Sequence, residues 1–183
     1  MDILTLIATC APLISPGLMA GIVDVASQGQ PLAIYRHDTR ESIHPATEAE
    51  AVATARRLLA ANVEISGGLA QLDSKVWTAF NLTAENVFSP CANLGAAEDA
   101  LITWYTKDVG DLDAALSRFQ TGGDPVEGIK SGYVGKVKEA AKRAASLGDA
   151  KGGGDPQSTS AAKEGSVPSE KFSEVLEGFK GGR

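Results

Sequence analysis

The sequence predicts a mainly α domain with one small β-hairpin, followed by a flexible C-terminal tail. Three observations lead there. Thr47-Glu-Ala-Glu is a capping box, with Thr47 as N-cap and Glu50 three residues on, and it opens a helix to about Ala61. Between Pro31 and Pro45 the helical pattern stops, and Leu32-Ala-Ile-Tyr and Glu41-Ser-Ile-His flank a polar turn, which reads as a hairpin. Near Ala145 the composition changes. Nearly all large apolar residues lie before it, and the run from Ser146 to Ser160 is too polar to offset its ordering entropy by burial. Residues 1–145 are therefore the expected domain and 146–183 the expected tail.

The elements follow in order. Met1 to Val23 is apolar, but no Lys or Arg precedes the run and Asp2, Pro12 and Pro16 interrupt it, so it does not read as an export signal or a membrane anchor. Pro12 to Ser27 reads as one helical segment with Leu18, Ile22 and Val25 on a stripe. After the hairpin and the capped helix come two helices, Ala96 to about Lys107 and Asp111 to Phe119, parted by Val109-Gly110. Tyr133 to Ala145, rich in Ala and Lys, is the last helix of the domain. In the tail, Phe172, Val175, Leu176 and Phe179 share a helical face within 169–179, a short amphipathic helix that Gly178 weakens.

Composition excludes several classes. With 183 residues the chain has room for one domain with a real core. A net charge of −6 argues against holding nucleic acid by its phosphates, and 5% aromatics argues against base-stacking platforms. Two cysteines, Cys10 and Cys91, and two histidines, His37 and His44, make no structural zinc set, so no metal and no cofactor is expected. From spacing alone the cysteines are either two buried thiols or one disulfide.

Seven short pieces then carry a resemblance. They are Cys10-Ala-Pro, the run from Met19 to Ile34, Glu50-Ala-Val-Ala-Thr-Ala-Arg, Ser66-Gly-Gly-Leu-Ala-Gln, Ser89-Pro-Cys-Ala-Asn-Leu, Ala115-Leu-Ser-Arg-Phe-Gln-Thr-Gly and Gly132-Tyr-Val. In this order they resemble the small lytic transglycosylases of type IV secretion and conjugation systems, a lysozyme-like family that opens peptidoglycan for the secretion channel. The resemblance covers most of residues 8–138.

It implies a lysozyme-like fold, a periplasmic location, glycan strands of peptidoglycan as substrate and secretion components as partners, some of them reached through the tail. It implies no nucleic acid and no membrane span. Cys10 and Cys91 both match family positions, and a periplasmic protein keeps its disulfides, so the resemblance favours a Cys10–Cys91 bond. The family uses one carboxylic acid as both acid and base and the sugar's own 6-hydroxyl as nucleophile, unlike two-carboxylate glycosidases. That acid is expected in a Glu-Ser pair at the end of the first long helix. Here the pair reads Ala26-Ser27.

The resemblance assigns the remaining roles position by position. Ser27, Gly68, Leu69 and Gln71 are implied in holding the sugars. Phe119, Gln120 and Thr121 stand where the family has Tyr-Asn-x and line the cleft, and Tyr133 positions the catalytic carboxylate. Asp24 lies about 200° around the helix from Ala26 and points elsewhere. Asp73 and Glu64 flank the Gly-rich loop without an evident path to the glycosidic oxygen. A replaced acid beside an intact Ser27, or decay into a binding protein, each accounts for Ala26. Either way the chain is expected to be a very poor enzyme, or to act as a non-catalytic wall-binding protein.

Overall fold

A computed structural model describes residues 2–151, and the tail helix expected at 169–179 lies outside them. Helix α1 (Ile3–Cys10) opens at Asp2, whose carboxylate accepts the N–H groups of Leu4 and Thr5. The helix expected from Pro12 starts later, at Pro16, and α1, not expected from the sequence, precedes it. The chain breaks at 11–15, and α2 (Pro16–Ser27) begins with Pro16 in its first turn, where the missing N–H costs nothing. Glu98 secures this break. Its buried carboxylate accepts the N–H of Leu13 and, at 3.1 Å, that of Ile14.

The expected hairpin forms between β1 (Ile34–Arg36) and β2 (Ser42–Ile43), with Ile34 opposite Ile43. The structure extends it with β3 (Ile65–Gly67) and β4 (Leu72–Asp73), giving an antiparallel sheet in the order β2-β1-β3-β4. Between them α3 (Glu48–Ala60) starts at Thr47, whose hydroxyl accepts the N–H of Glu50 at 3.2 Å as in a capping box, while the Glu50 carboxylate reaches one residue further back, to the Ala46 N–H at 2.9 Å. Helix α4 (Pro90–Lys107) begins earlier than Ala96, because Pro90 takes the first-turn position. Cys91 therefore lies within α4, and its disulfide to Cys10 ties α1 to α4. Closing a loop of 81 residues is worth about 4.5 kcal/mol in the chain-entropy model.

Helix α5 (Leu112–Thr121) is capped by Asp111 and runs past Phe119 to a left-handed Gly122. A single turn, α6 (Glu127–Lys130), leads to α7 (Tyr133–Lys151), which continues beyond the expected end at Ala145. Helices α2 and α7 cross at very short range. A Cβ at Gly21 would stand 2.7 Å from Ala141 N and Val137 O, so only glycine lets the two backbones meet. This crossing fixes the first residue of α7, Tyr133, relative to the end of α2, where Ala26 lies. The core between helices and sheet is mainly aliphatic, with Ile22, Ile34, Ile65, Leu94, Leu116 and Val137 fully buried.

Candidate active site

The cleft lies between the sheet and the helix ends. A cavity of about 630 Å³ is lined on one side by Val25 and Ala26 of α2, Phe119, Gln120 and Thr121 of α5, Glu127 and Tyr133. On the other side stand Tyr35, His37, Arg40, Ser66, Ala70 and Gln71. Strand alternation explains the second wall. Tyr35 pairs with Ser66, Ser66 pairs with Asp73, and the His37 N–H donates to the Glu64 carbonyl at 3.1 Å. Residues two apart on a strand share a face, so Tyr35, His37, Glu64, Ser66 and Asp73 form one polar face.

Of the residues singled out from the sequence, Ala26, Gln71, Phe119, Gln120, Thr121 and Tyr133 line the cavity together. Ser27, Gly68 and Leu69 do not line it. Ser27 is buried and its hydroxyl donates to the Leu69 carbonyl at 2.7 Å, tying the end of α2 to the loop between β3 and β4. Gly68, at φ +81, sits against Asn93, where any Cβ would collide with the Asn93 amide at 2.2 Å. Asn93 is fully buried and staples that loop from both sides. Its amide donates to the Gly67 carbonyl at 3.0 Å, and its oxygen accepts the Ala70 N–H at 2.8 Å. The Gln71 amide donates to the carbonyls of Ala33 and Gly68, both at 2.8 Å, which leaves its oxygen for a ligand.

The opposite wall is held as firmly. Ser117 donates to the Asp124 carbonyl and accepts the Gly128 N–H, both at 2.8 Å. Arg118 grips Asp108 through Nε at 2.9 Å and reaches the Gly123 carbonyl. The Thr121 hydroxyl accepts the Asp124 N–H at 2.8 Å, so it shapes the turn rather than offering a free donor. Two backbone N–H groups hold the Asp124 carboxyl below the usual range. The Tyr133 hydroxyl differs from all of these. Among the described residues it has no hydrogen-bond partner, and desolvation pushes its phenol up.

Carboxylates near the cleft are accounted for. Asp24 is exposed and 3.2 Å from Arg143, away from the cavity. Glu64 pairs with Lys75. Asp73 is buried, takes the Lys75 N–H at 2.8 Å and lies 3.8 Å from His37 Nε2, which is itself 2.9 Å from Ser66 Oγ. His37, Glu64 and Asp73 bring potential metal-ligand atoms within 4.8 Å of one another, with the Lys75 ammonium already serving Glu64. Glu127 is the one carboxylate among the described lining residues, and it is exposed.

Sequence reasoning missed Tyr35, His37, Arg40, Ser66 and Glu127 as lining residues, and Asn93 and Glu98 as the staples behind the site. Tyr35 and His37 had a readable signal, since they stand two apart where β1 meets the turn. Glu98 had none, because its partners are backbone groups more than 80 positions away.

A helical domain whose short antiparallel sheet closes one side of a cleft is a lysozyme-like domain. Comparison with known proteins narrows the class. Protein virB1 of Agrobacterium fabrum is 33% identical over 140 residues, 73% of this chain and 57% of that protein. Protein virB1 of Rhizobium radiobacter is 31% identical over 140 residues, covering 73% and 58%. Type IV secretion system protein virB1 of Brucella suis is 32% identical over 150 residues, covering 75% and 63%. Over the matched stretch the chain belongs with the VirB1 proteins. The chain spans less than two thirds of the length of these relatives. No protein-family model and no solved structure matches it. Among the described residues no helix is long and apolar enough to cross a membrane.

Proposed function

We propose that this chain is a VirB1-type lytic transglycosylase domain without its catalytic carboxylate, which in its present form binds peptidoglycan glycan strands in the periplasm and does not cleave them. The observation that carries this reading is the partly buried, unpartnered Tyr133 hydroxyl in a cavity whose wall includes Ala26. A phenol is an efficient donor to a carboxylate, and a Glu at position 26 would supply the acceptor that Tyr133 lacks.

The chemistry follows from what such a carboxyl does there. Beside Val25 and Phe119 it is partly desolvated, which raises its pKa and keeps it protonated. It gives its proton to the glycosidic oxygen as the bond between N-acetylmuramic acid and N-acetylglucosamine breaks. It then takes the proton of the muramyl 6-hydroxyl as that oxygen closes on C1, leaving a 1,6-anhydro sugar. One carboxyl thus serves both steps. Removing a general acid costs roughly 10²–10⁴-fold in rate. Glu127 is exposed, and Asp73 and Glu64 are engaged elsewhere, so none of them replaces it.

That the Brucella relative is a type IV secretion system protein supports a place in type IV secretion, where the wall must be opened or held during assembly. A domain that keeps the cleft and lacks the acid suits holding, with the segment that follows α7 reaching toward other components. Co-sedimentation with purified walls tests the binding. The full chain is expected to pellet with them and to be displaced by soluble glycan fragments, and a chain that stays in the supernatant overturns the reading.

A further inference from the structure

Among the described residues that line the cavity, Arg40 is the one permanent cation. It is exposed, and its side chain makes no hydrogen bond or ion pair among the described residues. Several cations of the domain are engaged: Arg36 with Asp38, Arg56 with Glu85, Arg118 with Asp108 and Lys138 with Asp113. Within the same turn, Asp38 is taken by two bonds from Arg36, at 3.1 Å and 2.8 Å. The guanidinium of Arg40 therefore enters the cleft with its charge and its fork of donors unused.

The backbone is unusual at the same residue. The Arg36 N–H donates to the Glu41 carbonyl at 2.9 Å and closes the β1–β2 turn. Arg40 ends that turn at φ +60, a left-handed conformation that hairpin loops usually give to Gly or Asn. An arginine is conformationally costly there. Its side chain, which lines the cleft, is the compensation the structure offers.

We propose that Arg40 forms a carboxylate-binding subsite on the sheet side of the cleft, which makes this domain select acid-bearing glycan strands over neutral ones. The proposal rests on the glycan-cleft reading above and deepens it. A chain with net charge −6 repels an acidic polymer at long range, so tight binding needs a local cation at the point of contact. A planar guanidinium meets a carboxylate through two parallel N–H bonds, which fixes the register of the strand as well as adding affinity. Two sources in peptidoglycan have this chemistry: the lactyl carboxylate of a strand stripped of peptide, and the free carboxylates of the stem peptide.

The test measures affinity of the full chain for three soluble probes: a neutral N-acetylglucosamine tetramer, a peptide-free tetramer of alternating N-acetylglucosamine and N-acetylmuramic acid, and the same tetramer carrying stem peptides. At low ionic strength one or both acidic probes are expected to bind about threefold to tenfold more tightly than the neutral one, because the pair is solvent-exposed. Whichever acidic probe shows the gain identifies the carboxylate. Arg40→Gln brings the ratio of acidic to neutral affinity close to one, and high salt does the same to the unaltered chain. Arg40→Gly brings the ratio down too, and it raises Tm, since glycine adopts the left-handed conformation without strain. Equal binding of all three probes by the unaltered chain overturns the subsite and leaves the glycan cleft standing. Binding of none overturns both. An unchanged ratio in Arg40→Gln, in protein of unaltered Tm, removes Arg40 from recognition.

Discussion

Replacing Gly21 with Ala tests the helix crossing on which the site depends. Elsewhere in a helix this change helps, because Ala is favoured over Gly by about 1 kcal/mol. At position 21 the new Cβ would stand 2.7 Å from Val137 O, 2.7 Å from Ala141 N and 3.0 Å from Ala141 Cα. All three are backbone atoms of α7 and cannot rotate aside, so α7 must retreat by about 1 Å to reach ordinary contact distance. Overpacking of this kind costs about 1–3 kcal/mol, and subtracting the propensity gain leaves a net loss of up to about 2 kcal/mol. For a chain of this size that lowers Tm by up to about 8 °C. Gly135, in α7 and with nothing within 4 Å of where its Cβ would stand, is the control. Gly135→Ala is expected to raise Tm slightly. Thermal unfolding of the two variants side by side decides the matter. If Gly21→Ala stabilises as Gly135→Ala does, the helices are not in backbone contact and the placement of Tyr133 beside Ala26 loses its support.

Two further outcomes follow from the buried staples. Asn93→Leu leaves the Ala70 N–H and the Gly67 carbonyl without partners in a dry interior, at a cost of about 2–4 kcal/mol; urea unfolding should show the loss, and wall binding should weaken with it as the Gly67–Gln71 loop loosens. Burial raises the Glu98 carboxyl above the usual Glu value despite its two N–H bonds, so its contribution is greatest at low pH and is lost as pH rises through the raised pKa. Glu98→Gln keeps an acceptor for the N–H groups of Leu13 and Ile14 and removes the buried charge, so its Tm relative to the unaltered chain should be higher near pH 7.5, with the difference shrinking toward about pH 4.

The parts of this structure that are legible in the sequence are those governed by local rules. The Thr47 capping box marks the start of α3, and Val109-Gly110 parts α4 from α5. The polar turn between Ile34 and Ile43 announces β1 and β2. By contrast, β3 and β4, as short as β1 and β2, have no such turn to announce them, and only the pairing of β3 with β1 and of β4 with β3 makes them strands. The start of α2 at Pro16 rather than Pro12 is hidden because Leu13 and Ile14 keep the segment apolar, whereas what holds the chain out of the helix there is Glu98, a partner distant in sequence. The helix wall of the cleft is readable through Ala26, Phe119, Gln120 and Tyr133 because those positions fall in motifs. The sheet wall is readable only through Gln71, since Tyr35, His37 and Ser66 converge only once β1 and β3 are in register.

Release of 1,6-anhydro-muropeptides, followed by mass spectrometry, from purified walls treated with the unaltered chain and with Ala26→Glu bears on the missing acid itself. No release above background is expected from the unaltered chain. Clear release is expected from Ala26→Glu, whose carboxyl takes up the Tyr133 hydroxyl and regains the acid step, worth roughly 10²–10⁴-fold. Phe119 and Gln120, where the family's Tyr-Asn pair is altered, limit only the rate. Two results would contradict this. If Ala26→Glu folds, binds walls and releases nothing, the cleft has lost more than its acid. If the unaltered chain releases as much as the variant, another carboxylate, with Glu127 and Asp73 the nearest candidates, already performs the reaction.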